Sequence, residues 1–117
     1  MRRSDCPIGC ALDVVGDRWT LLIIRDALYK GFKSYNEFLS SPEKISTNIL
    51  AARLQKLTAY GIFEKQKNEQ NQLKIDYVLT EKGKDLAPIM MELGKWGMKH
   101  IDNTVDMLAK IREAKNN

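Results

Sequence analysis

Apolar residues recur at helical spacing through most of the chain, and the pattern changes to alternation only once. Ala11 to Val15 predicts a short first helix ending at Gly16. Leu21-Leu22-Ile23-Ile24 opens a second apolar segment that runs to Leu28. A strand is the rival reading of such a run. Asp17 as an N-cap, Gly31 as a stop and the length between them favour a helix. Ser34-Tyr35-Asn36-Glu37 matches a capping box, with Phe38 and Leu39 as the apolar face of a short helix. That helix ends near Ser40, because Pro42 disfavours helical geometry at Ser41. Ser46 then caps a longer helix with apolar positions at Ile49, Leu50, Leu54, Leu57 and Tyr60, stopped by Gly61. Ile62–Lys67 and Lys74–Leu79 read as two strands around the turn residues Asn68-Glu69-Gln70-Asn71-Gln72. Thr80 caps the next helix, with Gly83 in its first turn and a stripe at Leu86, Ile89, Met90, Leu93 and Trp96. Pro88 kinks that helix unless it falls in a first turn. Ile101, Val105, Leu108 and Ile111 extend the stripe toward a polar tail.

A short capped helix, a brief Pro-containing turn, a longer helix and an immediate hairpin form a helix-turn-helix with a wing. The fold class expected is mainly α with a small β-hairpin. Residues 1–117 make one domain: 34–61 the helix-turn-helix, 62–79 the wing, 80–112 C-terminal helices for dimerisation. With 117 residues and no linker or repeat, a second domain is not expected.

Charge sharpens this picture. The formal net charge is +4, and from Glu43 to Ile75 six Lys/Arg stand against three Glu, a local +3. Ser46 to Gly61 contains no acidic residue. The outer face of that helix carries Asn48, Ala51, Ala52 and Gln55, small or polar throughout. A helix entering a major groove needs small side chains, hydrogen-bonding tips and no carboxylates facing phosphate. Thr47, Asn48, Ala51 and Gln55, with the cap Ser46, are therefore candidate base-reading positions. The bland alternative is a solvated amphipathic helix. Arg53, on the flank, reads two ways: toward phosphate, or held by a carboxylate inside the protein. Lys65, Lys67 and Lys74, with Asn71 at the tip, are candidate phosphate contacts of the wing, against a merely solubilising role. Arg25 lies in an apolar segment and reads as structural, paired with an acid.

Other chemistries find little support. His100 is the single histidine, and Cys6 and Cys10 are too few for a structural zinc site or a disulfide scaffold. No triad, paired carboxylates or phosphate-cradling glycine loop appears, so neither an enzyme nor a cofactor is expected. No apolar run approaches the length of a membrane span, and Met1-Arg2-Arg3 is not followed by a signal-peptide core. A cytoplasmic protein is expected.

Four segments together resemble the HxlR-type transcriptional regulators. They are Cys6-Pro7-Ile8 with Ala11–Gly16 and Arg18–Arg25; Ile45–Ala51 with Arg53, Leu54 and Leu57; Tyr77–Thr80 with Gly83; and Leu86-Ala87-Pro88 with Leu93, Trp96 and Gly97. The resemblance spans about Cys6 to His100. It implies a MarR-like winged helix, a homodimer built from the terminal segments, and a pseudo-palindromic duplex DNA operator as partner. It also implies, for many members, a response to an oxidant or small electrophile through the cysteine at Cys6. Cys10 is an addition to that pattern. Arg2, Arg3 and the first helix's N-terminus favour a Cys6 thiolate, while Asp5 opposes it. Packing of Cys6 against a dimer partner is the plainer reading. Two rivals remain: a winged-helix module that binds protein without DNA, and a small thiol-redox protein. The second lacks both the C-x-x-C spacing and a βαβ pattern.

Overall fold

The computed structural model describes residues 5–116. Helix α1 spans Pro7–Val15, α2 Arg18–Tyr29, α3 Tyr35–Leu39 and α4 Thr47–Ala59. Strands β1 (Phe63–Lys67) and β2 (Ile75–Leu79) follow, then α5 (Glu81–Lys84), α6 (Ala87–His100) and α7 (Met107–Asn116). The architecture is a mainly helical fold with one antiparallel hairpin.

The caps act where their chemistry places them. Asp17 accepts from the Trp19 and Thr20 N–H groups, and Ser34 and Glu37 complete a reciprocal capping box. The Ser46 hydroxyl accepts from Ile49 N–H at 3.2 Å. Gly31 and Gly61 take positive φ (69° and 77°), the left-handed conformation that ends a helix most cheaply with glycine.

The core forms where α2, α3, α4 and β1 converge. Ile24, Leu50, Leu54 and Leu57 are completely enclosed, and Phe38 stacks edge-on between Phe32 and Phe63. Arg25 pairs with Asp26 and takes both carboxylate oxygens of Glu43 at 2.8 Å. Ser41 also donates to Glu43. This network fastens α2 to the turn between α3 and α4, as the internal reading of Arg25 anticipates.

Three features differ from the pattern-based expectation. First, α1 begins at Pro7, four residues before Ala11, with Cys6 as its N-cap residue. Proline suits a first helical position, where no donor is missed. Second, the helix capped by Thr80 is two helices, α5 and α6; Pro88 falls in the first turn of α6, the case in which no kink is expected. Third, the stripe from Ile101 to Ile111 is not one helix. Ile101 is extended and Asn103 has φ 66°, and α7 restarts under Asp106, which accepts from Ala109 N–H. Short polar residues here offer the backbone alternatives to a helix. The hairpin is also tied to the chain before α3 by one isolated bridge: Ser34 pairs with Asp76, and Tyr77 N–H donates to the Lys33 carbonyl at 2.7 Å.

Candidate nucleic-acid interface

Helix α4 buries Leu50, Leu54 and Leu57 and turns the opposite face outward. Ser46, Thr47, Asn48, Ala51, Ala52 and Gln55 are all exposed, forming one ridge without a carboxylate. The Tyr35 hydroxyl donates to the Thr47 carbonyl at 3.0 Å and so holds the start of this ridge against α3.

Beside the ridge stands the wing. Phe63 pairs with Leu79, Lys65 with Tyr77 and Lys67 with Ile75. Side chains alternate along a strand, so Lys65 and Lys67 share one face and Glu64 lies on the other. Lys65, Lys67, Asn71 and Lys74 are exposed. Asn71 has a structural task besides: its side-chain oxygen accepts from Leu73 N–H, and Asn68 accepts from the Gln70 and Asn71 N–H groups. These Asx turns fix the tip and thrust Leu73 into solvent at 95% exposure. Leu73 was invisible to the charge argument, because an apolar residue in a polar turn carries no charge signal.

Arg53 does not sit with the exposed ridge. Its Nε donates to the Asp17 carboxylate at 3.0 Å, so the internal one of its two readings has a partner. Partial burial pushes the Asp17 carboxyl up, but hydrogen bonds from Thr20 and Arg53 outweigh it and hold the pKa at about 2. One turn further, Lys56 Nζ donates to the Asp13 carbonyl at 3.0 Å.

Cys6 is exposed, at the amino end of α1. The N–H groups of Gly9 and Ile8 draw its thiol pKa below the ordinary value. Cys10 lies one helical turn away, its N–H donating to the Cys6 carbonyl. Arg2 and Arg3 lie outside the described residues.

Apolar surface collects between α1 and α6. Ile8 (71% exposed) and Leu12 on α1 face Ile89, Leu93 and Trp96 (58%) on α6 across a cleft of about 740 Å³. Among the described residues, no three His, Cys, Asp or Glu side chains converge as a metal site requires. No helix among them is long and apolar enough to cross a membrane.

Comparison with known proteins gives a consistent result. The sequence pattern of the HxlR-like helix-turn-helix family matches residues 14–105. The HTH-type transcriptional regulator YdeP of Bacillus subtilis is 32% identical over 111 residues, 95% of this chain and 85% of YdeP. Among solved structures, PA1607 superposes with a TM-score of 0.80 at 34% identity, covering 89% of this chain and 73% of PA1607. The redox regulator HypR in its reduced form superposes with a TM-score of 0.69 at 32% identity, covering 83% of this chain and 95% of HypR.

Proposed function

Because the chain belongs to the HxlR-like helix-turn-helix family, we propose that it binds duplex DNA sequence-specifically as a homodimer. It is a transcriptional regulator of the helix-turn-helix type; the family and its matched relatives are regulators, not enzymes. The observation that carries the proposal is the exposed, acid-free ridge of α4 standing beside a lysine-bearing wing.

In this reading α4 enters the major groove. Asn48 and Gln55 present amides suited to adenine, Ala51 is small enough to meet a thymine methyl, and Thr47 and Ser46 hydrogen-bond at the helix start. Lys65, Lys67 and Lys74 lie along phosphate, and Asn71 shapes the tip that carries them. Arg53 serves by holding α4 through Asp17.

The open cleft supports the dimer. An apolar surface of this kind is an aggregation liability in a monomer, and two-fold pairing of α1 and α6 covers it with an isologous contact. The pair then presents two α4 helices to half-sites of a pseudo-palindrome, about 34 Å or a multiple apart. The site of action is the cytoplasm.

Control by an oxidant or small electrophile is the third part of the proposal. It is supported by the exposed, acidified Cys6 and by the likeness to a redox regulator. Two thiols, Cys6 with either Cys10 or a cysteine of the second subunit, would yield two electrons and two protons to the oxidant and join as a disulfide. That bond pulls α1 and changes the separation of the α4 helices.

The test is selection from random duplexes, followed by gel shifts of the selected sequence at several salt concentrations and sedimentation of the free protein. A selected, salt-sensitive site bound by a dimer is expected. A dimer that shifts no duplex at low salt is a protein-interaction module instead. Diamide treatment should weaken binding in wild type, reversibly with reductant, and leave Cys6→Ser unchanged; wild type indifferent to diamide reduces Cys6 to packing.

A further inference from the structure

Two polar contacts join the reading helix to the junction between α1 and α2, and neither is needed to expose the ridge. Asp17 caps α2 through Trp19 N–H, Thr20 N–H and the Thr20 hydroxyl, and the same carboxylate accepts from Arg53 Nε on α4. Lys56 Nζ, three residues along α4, reaches the Asp13 carbonyl in the last turn of α1. A helix carries partial negative charge at its carboxyl end, where its last carbonyls lack partners within the helix. Helix α1 has no basic residue of its own in that turn. Lys56 therefore supplies from α4 the cation that α1 lacks. Arg53 and Lys56 are one turn apart on the same flank and are both half-buried, so α4 grips the Asp13–Asp17 corner at two points.

The outer face of α1 shows what this grip connects. Ile8 and Leu12 are exposed on one wall of the apolar cleft, while the carboxyl end of the same short helix is tied to α4. A nine-residue helix is stiff over its length, so displacement at one end reaches the other. We propose that Arg53 and Lys56 are positioning residues that make α1 and the reading helix move as one body, coupling whatever packs on α1 to DNA occupancy. The coupling is reciprocal by linkage: a duplex that seats α4 must also steady the α1–α2 junction. This inference rests on the DNA-binding reading above.

Hydrogen exchange, measured on the full chain free and bound to its selected duplex, tests it. The quantity compared is the bound-to-free ratio within each variant, which cancels any change in basal exchange. In wild type, amides of the 13–19 segment should slow on binding by about fivefold or more, the lower edge of ordinary allosteric coupling. Lys56→Met and Arg53→Met each keep an apolar stem while removing one donor, and Asp17 still caps α2 in both, so both variants retain the fold. Each should still protect α4 on binding but lose the effect at the junction, and Lys56→Arg, which keeps a cation there, should restore it. Protection of the junction that is absent in wild type, or undiminished in both variants, overturns the proposal. A wild-type chain that shifts no duplex in the preceding gel overturns the DNA-binding reading and this inference with it.

Discussion

Gly83 gives the sharpest quantitative test of how the wing is seated. It lies buried in α5, where its N–H donates to the Thr80 hydroxyl. A Cβ at this position would stand 2.5 Å from the Ile62 carbonyl oxygen and 2.8 Å from Leu79 Cδ2. The leucine methyl can rotate away, but the carbonyl is backbone and already accepts from Thr80 N–H and the Thr80 hydroxyl. Moving it by the several tenths of an ångström required disturbs at least one of those bonds. Overpacking costs about 1–3 kcal/mol, and a weakened hydrogen bond about 0.5–1.5. Alanine's better helix propensity returns about 0.5–1 kcal/mol. Gly83→Ala should therefore destabilise by about 2 kcal/mol. For a chain of this length that lowers Tm by about 8 °C at fixed protein concentration. Thermal melts followed by circular dichroism, repeated as urea titrations with an unchanged slope, provide the measurement. A variant melting within about 2 °C of wild type would refute the claim that strand entry and exit are locked around this glycine.

Three further outcomes follow from the same geometry. Lys65→Ala should weaken all duplexes alike and lower the salt slope by about one, whereas Asn48→Ala should cost roughly 1–3 kcal/mol on the selected site and relax preference at one position; binding titrations across salt and sequence separate the two. Leu93→Glu places a charge in the apolar cleft and should convert the proposed dimer to a ~13 kDa species in sedimentation; a variant that stays dimeric pairs elsewhere. Glu43 and Asp17 are both held at about pKa 2, the first by Arg25 and the second by Thr20 and Arg53 against its burial. Depressed carboxyl pKa values stabilise the fold fully above the usual range near 4 and lose that effect as pH falls through about 2. Both groups are partly exposed, so about 1 kcal/mol each is the expected size. Glu43→Gln should lower Tm at pH 6 and merge with wild type near pH 2; a constant difference across that range contradicts the linkage.

Local chemistry made the central part of the fold legible. Asp17, Ser34, Ser46 and Gly61 mark helix ends through groups within three residues of the backbone they satisfy, so their signals survive in sequence alone. The second strand was legible from its alternation, and the first from its place between Gly61 and a polar turn, since only one of its five residues is buried. The failures lie where distant or competing groups decide. Pro7 starts α1 and Ile8 belongs to the same helical period as Ala11, Leu12 and Val15, but the polar and glycine residues around Ile8 hid that first turn. Lys33 and Ser34 bridge to β2 only because it offers them partners more than forty residues away. Ile101 and Ile111 have helical spacing, yet Asp102, Asn103 and Thr104 interrupt the helix between them.

The interface divides along the same line. The exposed, acid-free face of α4 was visible in composition, since missing carboxylates and small residues on one helical face need no knowledge of neighbours. What holds the ridge in place was not visible, because the acceptors are backbone carbonyls: Thr47 for the Tyr35 hydroxyl and Asp13 for Lys56. A carbonyl has no residue identity, so a lysine destined for one looks like any solvated lysine. Arg53 stood between these cases, its partner Asp17 being a named side chain whose capping role was legible while its second bond was not. The consequence bears on design of variants. On the proposed reading Asn48, Ala51 and Gln55 are exposed side chains with no structural task, so their loss should change sequence preference without disturbing the fold. Side chains that place α4 act through contacts inside the protein, so their loss should change how binding couples to α1 while leaving the preferred sequence the same. Measuring preference and coupling on the same set of variants therefore distinguishes the two groups by function, where exposure alone would rank them by accessibility.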